Sequence, residues 1–366
     1  MVNRLVALCM PGGPEFVETV QRIWDDGDAV LPIDQRLPQN AQVELVEQME
    51  ASVVIDSSGT SLLSGRPVES DDALVVATSG STGRPKGVVL EHKALIANAE
   101  ATNAFLEADP AVDKWLACLP LSHVGGFSVL VRALHSGVSL EVHDGFDAEK
   151  TITAAQHGVT LISLVPTAMQ RVETGLFRRV LVGGASVPID RPDNVIATYG
   201  MTETGSGVVY NGRALENVEL RAVDGEVQIR CPMLFRCYRN GENPITEDGW
   251  YPTGDAGELD DNGILTVRGR MGDMIITGGE NVWPVMIEQI LNKAVGVREC
   301  AVVGRPDPEW GESVVAVVVP DADTPVLEDL RDLVKSSLPA YCAPRSLELT
   351  DQLPKTALGK IQRHLL

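Results

Sequence analysis

Leu74-Val75-Val76-Ala77-Thr78-Ser79-Gly80-Ser81-Thr82-Gly83-Arg84-Pro85-Lys86-Gly87-Val88 is the stretch on which the fold turns. Its apolar start has the composition of a buried strand. The strand empties into Thr, Ser and Gly residues that close on Pro-Lys-Gly. Gly80, Gly83 and Gly87 permit backbone angles that let successive N–H groups converge on one anion. Thr78, Ser79, Ser81 and Thr82 add hydroxyl donors and Lys86 adds a full positive charge. The stretch therefore predicts a phosphate cradle. A Ser/Gly surface linker is the alternative, and the strand that leads straight into the loop argues against it.

The loop is not of the Walker type, because five residues after Gly80 the chain has Pro85 where that pattern needs a glycine. It resembles instead the signature loop of the adenylate-forming superfamily, which includes acyl-CoA synthetases, luciferases and peptide-synthetase adenylation domains. The resemblance implies that Thr78 to Gly83 and Lys86 hold the β- and γ-phosphates of ATP.

Composition bounds the rest. A chain of 366 residues exceeds one ordinary core, so two domains are expected. A hydrophobic share of 44% fits a globular protein, and a net charge of −21 argues against non-specific binding to nucleic acid or acidic membranes. The cysteines, at 9, 118, 231, 237, 300 and 342, form no C-x-x-C pair and no zinc spacing. They are expected to be reduced thiols in a cytoplasmic protein. No apolar run approaches the ~18 residues of a membrane span, and Met1 to Gly12 is broken too early to be a signal peptide.

Along the chain, Phe16, Val17, Val20, Ile23 and Trp24 predict a helix over roughly 14–25. Strands are expected at 29–34, 53–56, 115–120, 138–142, 159–165, 179–182 and 195–198. A helix over 127–135 carries Phe127, Leu130, Val131 and Leu134 on one face and Ser128, Arg132 and His135 on a polar one. Alternating strands and helices predict an α/β large domain with mainly parallel sheets, followed by a small β subdomain that opens with a hairpin at Asp224-Gly225. The candidate site residues are expected just past the C-terminal ends of strands, where such sheets bind ligands. The last stretch predicts a mobile small α+β domain. The expected boundaries are 1–269 for the large ATP- and acyl-binding domain, 270–272 for a hinge and 273–366 for the small domain.

Further residues carry chemistry of their own. Tyr199 offers a face for a base, Thr202 a hydroxyl for a phosphate and Glu203 an oxygen ligand for Mg2+. Asp255 could accept from a ribose diol, although an Asp in a turn is common. The superfamily resemblance implies these roles at Tyr199-Gly200-Met201-Thr202-Glu203 and at Asp255, with Arg270 assisting and Gly184 and Ala185 lining the adenine. It implies that Lys360, within Pro354-Lys-Thr-Ala-Leu-Gly-Lys360-Ile-Gln-Arg363, is the catalytic lysine of adenylation, and that Thr202 and His123 also serve catalysis. His123, Gly125 and Gly126 would border the acid, and Gly278 and Gly279 would line the CoA tunnel. Gly272 falls at the hinge, where relatives often carry Asp or Lys, so the balance between two poses is open. Relatives usually carry a longer segment before the loop, so the large domain is trimmed at its start.

The implied activity is an ATP-dependent acid–CoA ligase that works through an acyl-adenylate by domain alternation. Mg2+ is its cofactor and ATP and CoA are co-substrates. The short large domain, Pro120-Leu-Ser-His-Val-Gly-Gly126, Leu164-Val-Pro-Thr167 and Val182-Gly-Gly-Ala185 together resemble the ligases of menaquinone synthesis that act on the diacid 2-succinylbenzoate. Arg132 is then a candidate for its second carboxylate, a solvated helix Arg being the alternative. Another acyl- or aryl-CoA ligase, or a non-catalytic nucleotide-binding relative, stays open, as does a homo-oligomer.

Overall fold

The structure, a computed structural model, describes residues 3–79, 85–188, 190–355 and 361–366. They form two compact units. One comprises Met1–Leu220 and Ile229–Tyr251, the other Arg221–Gln228 and Pro252–Leu366.

The first unit is built on two seven-stranded sheets. The first contains β1 (Leu5–Leu8), β2 (Ala29–Pro32), β3 (Val53–Asp56), β4 (Gly59–Leu62), β5 (Asp72–Ser79) and β6 (Pro85–Glu91), with Cys237–Tyr238 on its far edge. Its middle strands, in the order β5-β2-β1-β3, are parallel, while β4, β6 and Cys237–Tyr238 are antiparallel additions. Every residue of β1 and β2 is buried, as expected of strands covered on both faces. Leu5, Ala7, Ala29, Leu31, Val75 and Val89 build one core there. Helix α1 (Pro14–Asp25) starts with proline in its first turn and buries Phe16, Val20 and Ile23. Helices α2 (Gln39–Gln48) and α3 (His92–Leu106) were not expected from the sequence.

The second sheet has β7 (Lys114–Ala117), β8 (Ser139–Val142), β9 (Leu161–Leu164), β10 (Arg179–Val182) and β11 (Val195–Met201) in parallel. Antiparallel β12 (Ser206–Tyr210) and β13 (Arg213–Ala214) extend it. Leu116, Ile162, Leu164, Val180 and Val182 form its core. Helix α4 (Val124–Ser136) packs on β7 and β9 and along α3, and α3 in turn lies against β5, β6 and β12. The α3–α4 pair therefore touches both sheets. Helices α5 (Ala148–Gln156) and α6 (Pro166–Met169) complete the α/β pattern.

The second unit takes in residues 221–228, the facing ends of β14 (Glu219–Val223) and β15 (Glu226–Arg230), joined by Asp224 (φ 51°) and Gly225 (φ 81°). Both residues take the positive φ that a two-residue hairpin turn demands. The edge strand of the first sheet, Cys237–Tyr238, becomes β16. Strands β17 (Tyr251–Leu259) and β18 (Leu265–Arg270) complete a four-stranded sheet with β14 and β15. A five-stranded sheet follows, with β19 (Ile275–Thr277), β20 (Glu280–Val282), β21 (Val297–Asp307), β22 (Gly311–Pro320) and β23 (Ser346–Leu349). Helices α7 (Pro284–Leu291) and α8 (Leu327–Lys335) cover it, and Ile287, Leu291, Val302, Val314, Leu330 and Val334 fill the space between.

The buried Asp113 ties the loop after α3 to the second sheet. Its carboxylate accepts from Arg178 Nε (2.8 Å), Thr160 Oγ1 (2.7 Å) and Asp109 N (2.9 Å). Burial pushes its pKa up, but the bonds from Arg178, Asp109 and Thr160 outweigh this and hold it below the ordinary value. A carboxyl lowered in the folded state contributes stability above its unfolded pKa and loses it as pH falls. Asp113→Asn should cost about 2 kcal/mol, the range for losing hydrogen bonds to a charged group, since Arg178 keeps some exposure and its bond to the Leu106 carbonyl. Chemical denaturation from neutral pH to below about pH 4 should show a flatter acid loss in the variant than in the wild type; equal slopes would refute the assignment.

Candidate active site

The loop opens from a hairpin. Pairing runs up to Thr78↔Lys86 and Ser79↔Pro85, and the Thr78 hydroxyl donates to the Lys86 carbonyl (3.2 Å). Gly80, Ser81, Thr82 and Gly83 lie outside the described residues, as does Lys360. Thr78, Ser79 and Lys86 are thus within strands rather than past their ends. Gly87 is required by packing, since a Cβ there would stand 2.7 Å from Met49 Sδ and 2.9 Å from Arg239 Cβ.

Lys86 Nζ lies 2.9 Å from Glu242 Oε2 and 4.9 Å from the centre of the Tyr238 ring. The Tyr238 hydroxyl donates to Glu203 Oε1 (2.9 Å) and stands 3.4 Å from the Tyr251 hydroxyl. One aromatic ring thereby links the phosphate hairpin to the candidate metal ligand. Burial first, and the Glu203 charge behind it, push the Tyr238 phenol up to about 12 against an opposing bond to Tyr251, so it stays a donor at neutral pH. Sequence reasoning missed Tyr238, Tyr251 and Glu242; none belongs to a motif, and only strand pairing brings β16 beside β6.

Tyr199 and Gly200 do not follow a strand, as expected, but belong to β11, which runs on to Met201 because β12 pairs back along it. A bulge separates Tyr199 from Gly200. A Cβ on Gly200 would lie 2.1 Å from the Ser206 carbonyl oxygen, so only glycine fits. Thr202–Thr204 then form a 3₁₀ turn. The Thr204 hydroxyl bonds the Met201 N–H and carbonyl and the Ser206 carbonyl, and the Glu203 carbonyl accepts from Phe235 N (2.8 Å). Thr202 and Glu203 are half-buried. Gly184 (φ 81°) and Ala185 follow β10, the parallel neighbour of β11, and are exposed at the same end of the sheet as Tyr199.

The described residues contain no group of three His, Cys, Asp or Glu side chains able to cage a metal ion. A single carboxylate can nevertheless serve Mg2+, which is commonly held by one or two carboxylates together with substrate phosphates and water. Glu203 supplies that carboxylate.

His123 caps α4, its carbonyl accepting from Gly126 N (3.0 Å) and Phe127 N (2.9 Å). Its Nε2 is buried without a hydrogen bond, 3.7 Å from Asp34 Oδ2. Burial pushes the Asp34 carboxyl up, yet the bonds from Arg36, with His123 nearby, bring it well below the usual carboxylate range. Asp34, just beyond β2, was missed; its signal was a carboxylate at the end of a buried strand. Gly126 packs against backbone, because a Cβ there would meet the Pro120 carbonyl oxygen at 2.4 Å, whereas Gly125 has ordinary room.

The expected polar face of α4 is corrected by the structure. Ser128 and Arg132 are buried, Arg132 with 2% exposure, and only His135 reaches solvent. Asn98 and Asn103 of α3 lie opposite and make a polar seam rather than a wet surface. Arg132 donates to Ser206 Oγ (2.8 Å) and more weakly to Ser163 Oγ (3.4 Å) and Asn98 Oδ1 (3.5 Å), and stacks over Trp115 at 5.7 Å. Its Nε has no partner, and no carboxylate among the described residues bonds the guanidinium. Burial lowers its pKa.

In the second unit Asp255 does not follow a turn, as expected, but lies inside β17, directly across from Arg270 of β18. Arg270 Nε is 3.1 Å from Asp255 Oδ1 and its NH1 donates to the Thr253 carbonyl (2.7 Å). Gly278 (φ 60°) and Gly279 (φ 84°) turn the β19–β20 hairpin, and a Cβ on Gly278 would lie 2.7 Å from the Trp310 ring. Gly272 sits in a short 3₁₀ turn, Met271–Asp273.

The model of the AMP-binding enzyme family matches residues 62–238, and that of the AMP-binding enzyme C-terminal domain matches residues 286–360. A 2-succinylbenzoate–CoA ligase of Enterococcus faecalis is 34% identical over 80% of this chain and 68% of its own length. An indoleacetate–CoA ligase of Aromatoleum aromaticum is 35% identical over 79% of this chain and 66% of its own. Among solved structures, o-succinylbenzoate CoA synthetase of Bacillus subtilis, in complex with its acyl-adenylate intermediate, superposes with a TM-score of 0.88 at 25% identity, covering 99% of this chain and 87% of that one. The same enzyme with ATP and a magnesium ion gives 0.87 at 26% identity, over 99% and 89%.

Gly200→Ala should disturb the bulge that presents Tyr199 and the 202–204 turn. The expected cost is about 1–3 kcal/mol, the range for forcing extra atoms into a packed site, measured by thermal unfolding. Weakened ATP binding should accompany it; an unchanged melting temperature would show that the strand relaxes freely.

Proposed function

Because the chain belongs to the AMP-binding enzyme family, we propose that it is an ATP-dependent acid–CoA ligase that converts 2-succinylbenzoate, ATP and CoA into 2-succinylbenzoyl-CoA, AMP and pyrophosphate. The observation that carries the substrate is Arg132: a buried guanidinium with hydroxyl and amide partners but no carboxylate partner among the described residues. A charge without an opposite charge is costly inside a protein. A diacid would bring one carboxylate to Arg132 while the other reacts.

In the first half-reaction the reacting carboxylate attacks the α-phosphorus of ATP, giving the acyl-adenylate and expelling pyrophosphate. Thr78 to Gly83 and Lys86 hold the β- and γ-phosphates. Lys86 must then exchange Glu242 for phosphate oxygens, which the exposure of that pair permits. Thr202 contributes a hydroxyl to the α-phosphate. Tyr199, Gly200, Gly184 and Ala185 accept the adenine, and Asp255, with Arg270, the ribose diol. Glu203, oriented by Tyr238, would hold Mg2+, which when bound neutralises phosphate charge and orients the leaving pyrophosphate. Lys360 places its charge between the attacking carboxylate and the α-phosphate, where negative charge crowds in the transition state. His123, Gly125 and Gly126 border the acid.

In the second half-reaction the small domain, residues 273–366, turns about 270–272 relative to residues 1–269. The CoA thiol, delivered past Gly278 and Gly279, attacks the acyl carbon and AMP leaves. Adenylation thus replaces a poor leaving group with a good one. ATP and CoA are cytoplasmic metabolites, and all six cysteines are free, so we place the enzyme in the cytoplasm. No described helix is long and apolar enough to cross a membrane.

The indoleacetate ligase likeness favours a second reading, an aryl mono-acid as substrate. Pyrophosphate release from MgATP, with and without CoA, should separate the two. 2-Succinylbenzoate should give rapid release and a CoA thioester, whereas preference for indoleacetate would overturn the diacid reading and leave the two-step chemistry intact. Arg132→Met should lower kcat/KM for the diacid about 100-fold, the range for removing one member of a buried charge pair. It should leave a mono-acid nearly unaffected, and equal loss with both acids would sink the role of Arg132. ATP binding by the variant checks its folding.

A further inference from the structure

In the second unit, α7 and the chain's last residues meet in a buried ion cluster that the chemistry above does not use. Glu288, buried on α7 among Ile287, Leu291 and Val302, receives two bonds from Arg363 NH2, at 2.8 Å to Oε1 and 2.6 Å to Oε2. Arg363 NH1 reaches Asp273 Oδ2 at 3.1 Å, and Asp273 follows Gly272 directly. Glu288 Oε1 also accepts from Val302 N (2.7 Å), which locks the carboxylate to β21.

Two further contacts fasten the same end of the chain. Lys355 and Ile361 form an antiparallel bridge, and Gln362 N donates to the Pro354 carbonyl (2.9 Å). Ile361 packs on the apolar group containing Val303, Val315 and Leu353. These contacts would suffice to cover the sheet. A buried ion pair is weak support for stability compared with apolar residues of similar volume, and its best-attested use is to fix one arrangement. Arg363 moreover joins α7, the residue after Gly272 and the segment that follows Lys360.

We infer that Glu288 is a positioning residue for adenylation: by clamping Arg363 it sets where the backbone leaving Lys360 runs relative to Asp273 and the hinge. This rests on the reading that Lys360 serves the first half-reaction. A group that must meet a developing charge has to be held to a narrow range of positions, which apolar packing does poorly and a charge-assisted contact, one Arg363 nitrogen bonding both Glu288 oxygens, does well.

The test compares Glu288→Gln, Arg363→Lys and Lys360→Ala in the full chain. Adenylation is followed as pyrophosphate release with 2-succinylbenzoate, and with indoleacetate as a second acid. Thioester formation is followed from synthetic acyl-adenylate plus CoA. Glu288→Gln keeps the shape and removes the charge; it should slow adenylation about 100-fold, the loss expected of a misplaced catalytic group, and change thioester formation less than about threefold. Trypsin should also cut at Lys355 and Lys360 faster in this variant while the rest of the chain stays intact. If Glu288→Gln slows both half-reactions equally, or neither, the positioning role is overturned. If Lys360→Ala itself spares adenylation, the reading beneath it fails, and the inference with it. Should Glu288→Gln not fold, Arg363→Lys and Asp273→Asn are judged by the same split.

Discussion

The polar seam between α3 and α4 holds the nucleotide side of the first unit together. Asn98 donates from Nδ2 to the carbonyls of Thr204 (3.3 Å) and Gly207 (3.0 Å), and its Oδ1 faces Arg132. Arg132 in turn bonds Ser206. Both residues therefore grip the chain at and just after the turn that carries Thr202 and Glu203. Thr102 and Tyr210 extend the seam through a 3.0 Å hydroxyl pair, and Asn103 donates to the Arg132 carbonyl. A buried seam of this kind stays rigid when its members are satisfied and is costly where one is not. The unpartnered Nε of Arg132 is the weak point of the seam.

That arrangement also bears on charge. A chain of net charge −21 repels ATP at long range, so its site has to supply positive potential locally. Lys86 is neutralised by Glu242 and shielded by the Tyr238 ring, and Arg270 by Asp255. The Lys86 partner Glu242 is exposed, whereas Asp255 is buried. An exposed pair is weak in water, so it is the Lys86 pair that phosphates can displace. Arg132 is the contrast: it is buried, and among the described residues no carboxylate bonds it.

The α/β architecture was legible because its central strands are buried on both faces and appear as unbroken apolar runs, as at Leu74–Ala77 and Val180–Val182. The turn at Asp224-Gly225 announced itself through its need for positive φ. Helix α3 was hidden because its inward face mixes Leu95 and Ala99 with Asn98, Thr102 and Asn103, all buried; a polarity period cannot find a face of that kind. The same rule sent Arg132 to solvent. Asp255 and Tyr199 were recognised as chemistry, but their place inside strands was not, since it depends on β18 and β12 pairing back across them. Tyr238 left no trace at all, its importance arising only from where β16 docks.

The hairpin at Thr78–Lys86 explains why the phosphate loop departs from the Walker pattern. A Walker loop runs into a helix whose N-terminus supplies much of the anion's attraction. Here the chain turns back into β6, paired from Ser79↔Pro85 onward, and no helix begins until His92. The positive end of a helix is therefore missing from the loop's exit. On the proposed reading, the hydroxyls of Thr78, Ser79, Ser81 and Thr82 and the charge of Lys86 take its place. The lysine must project from a strand, where alternate side chains face opposite ways. Pro85, which cannot donate to a ladder, sits at the first position of β6, where a strand tolerates it. Gly87 then lets β6 pass close to Met49 and Arg239. The spacing Pro-Lys-Gly is thus the set of conditions for bringing one cation back beside a loop that has no helix to help it.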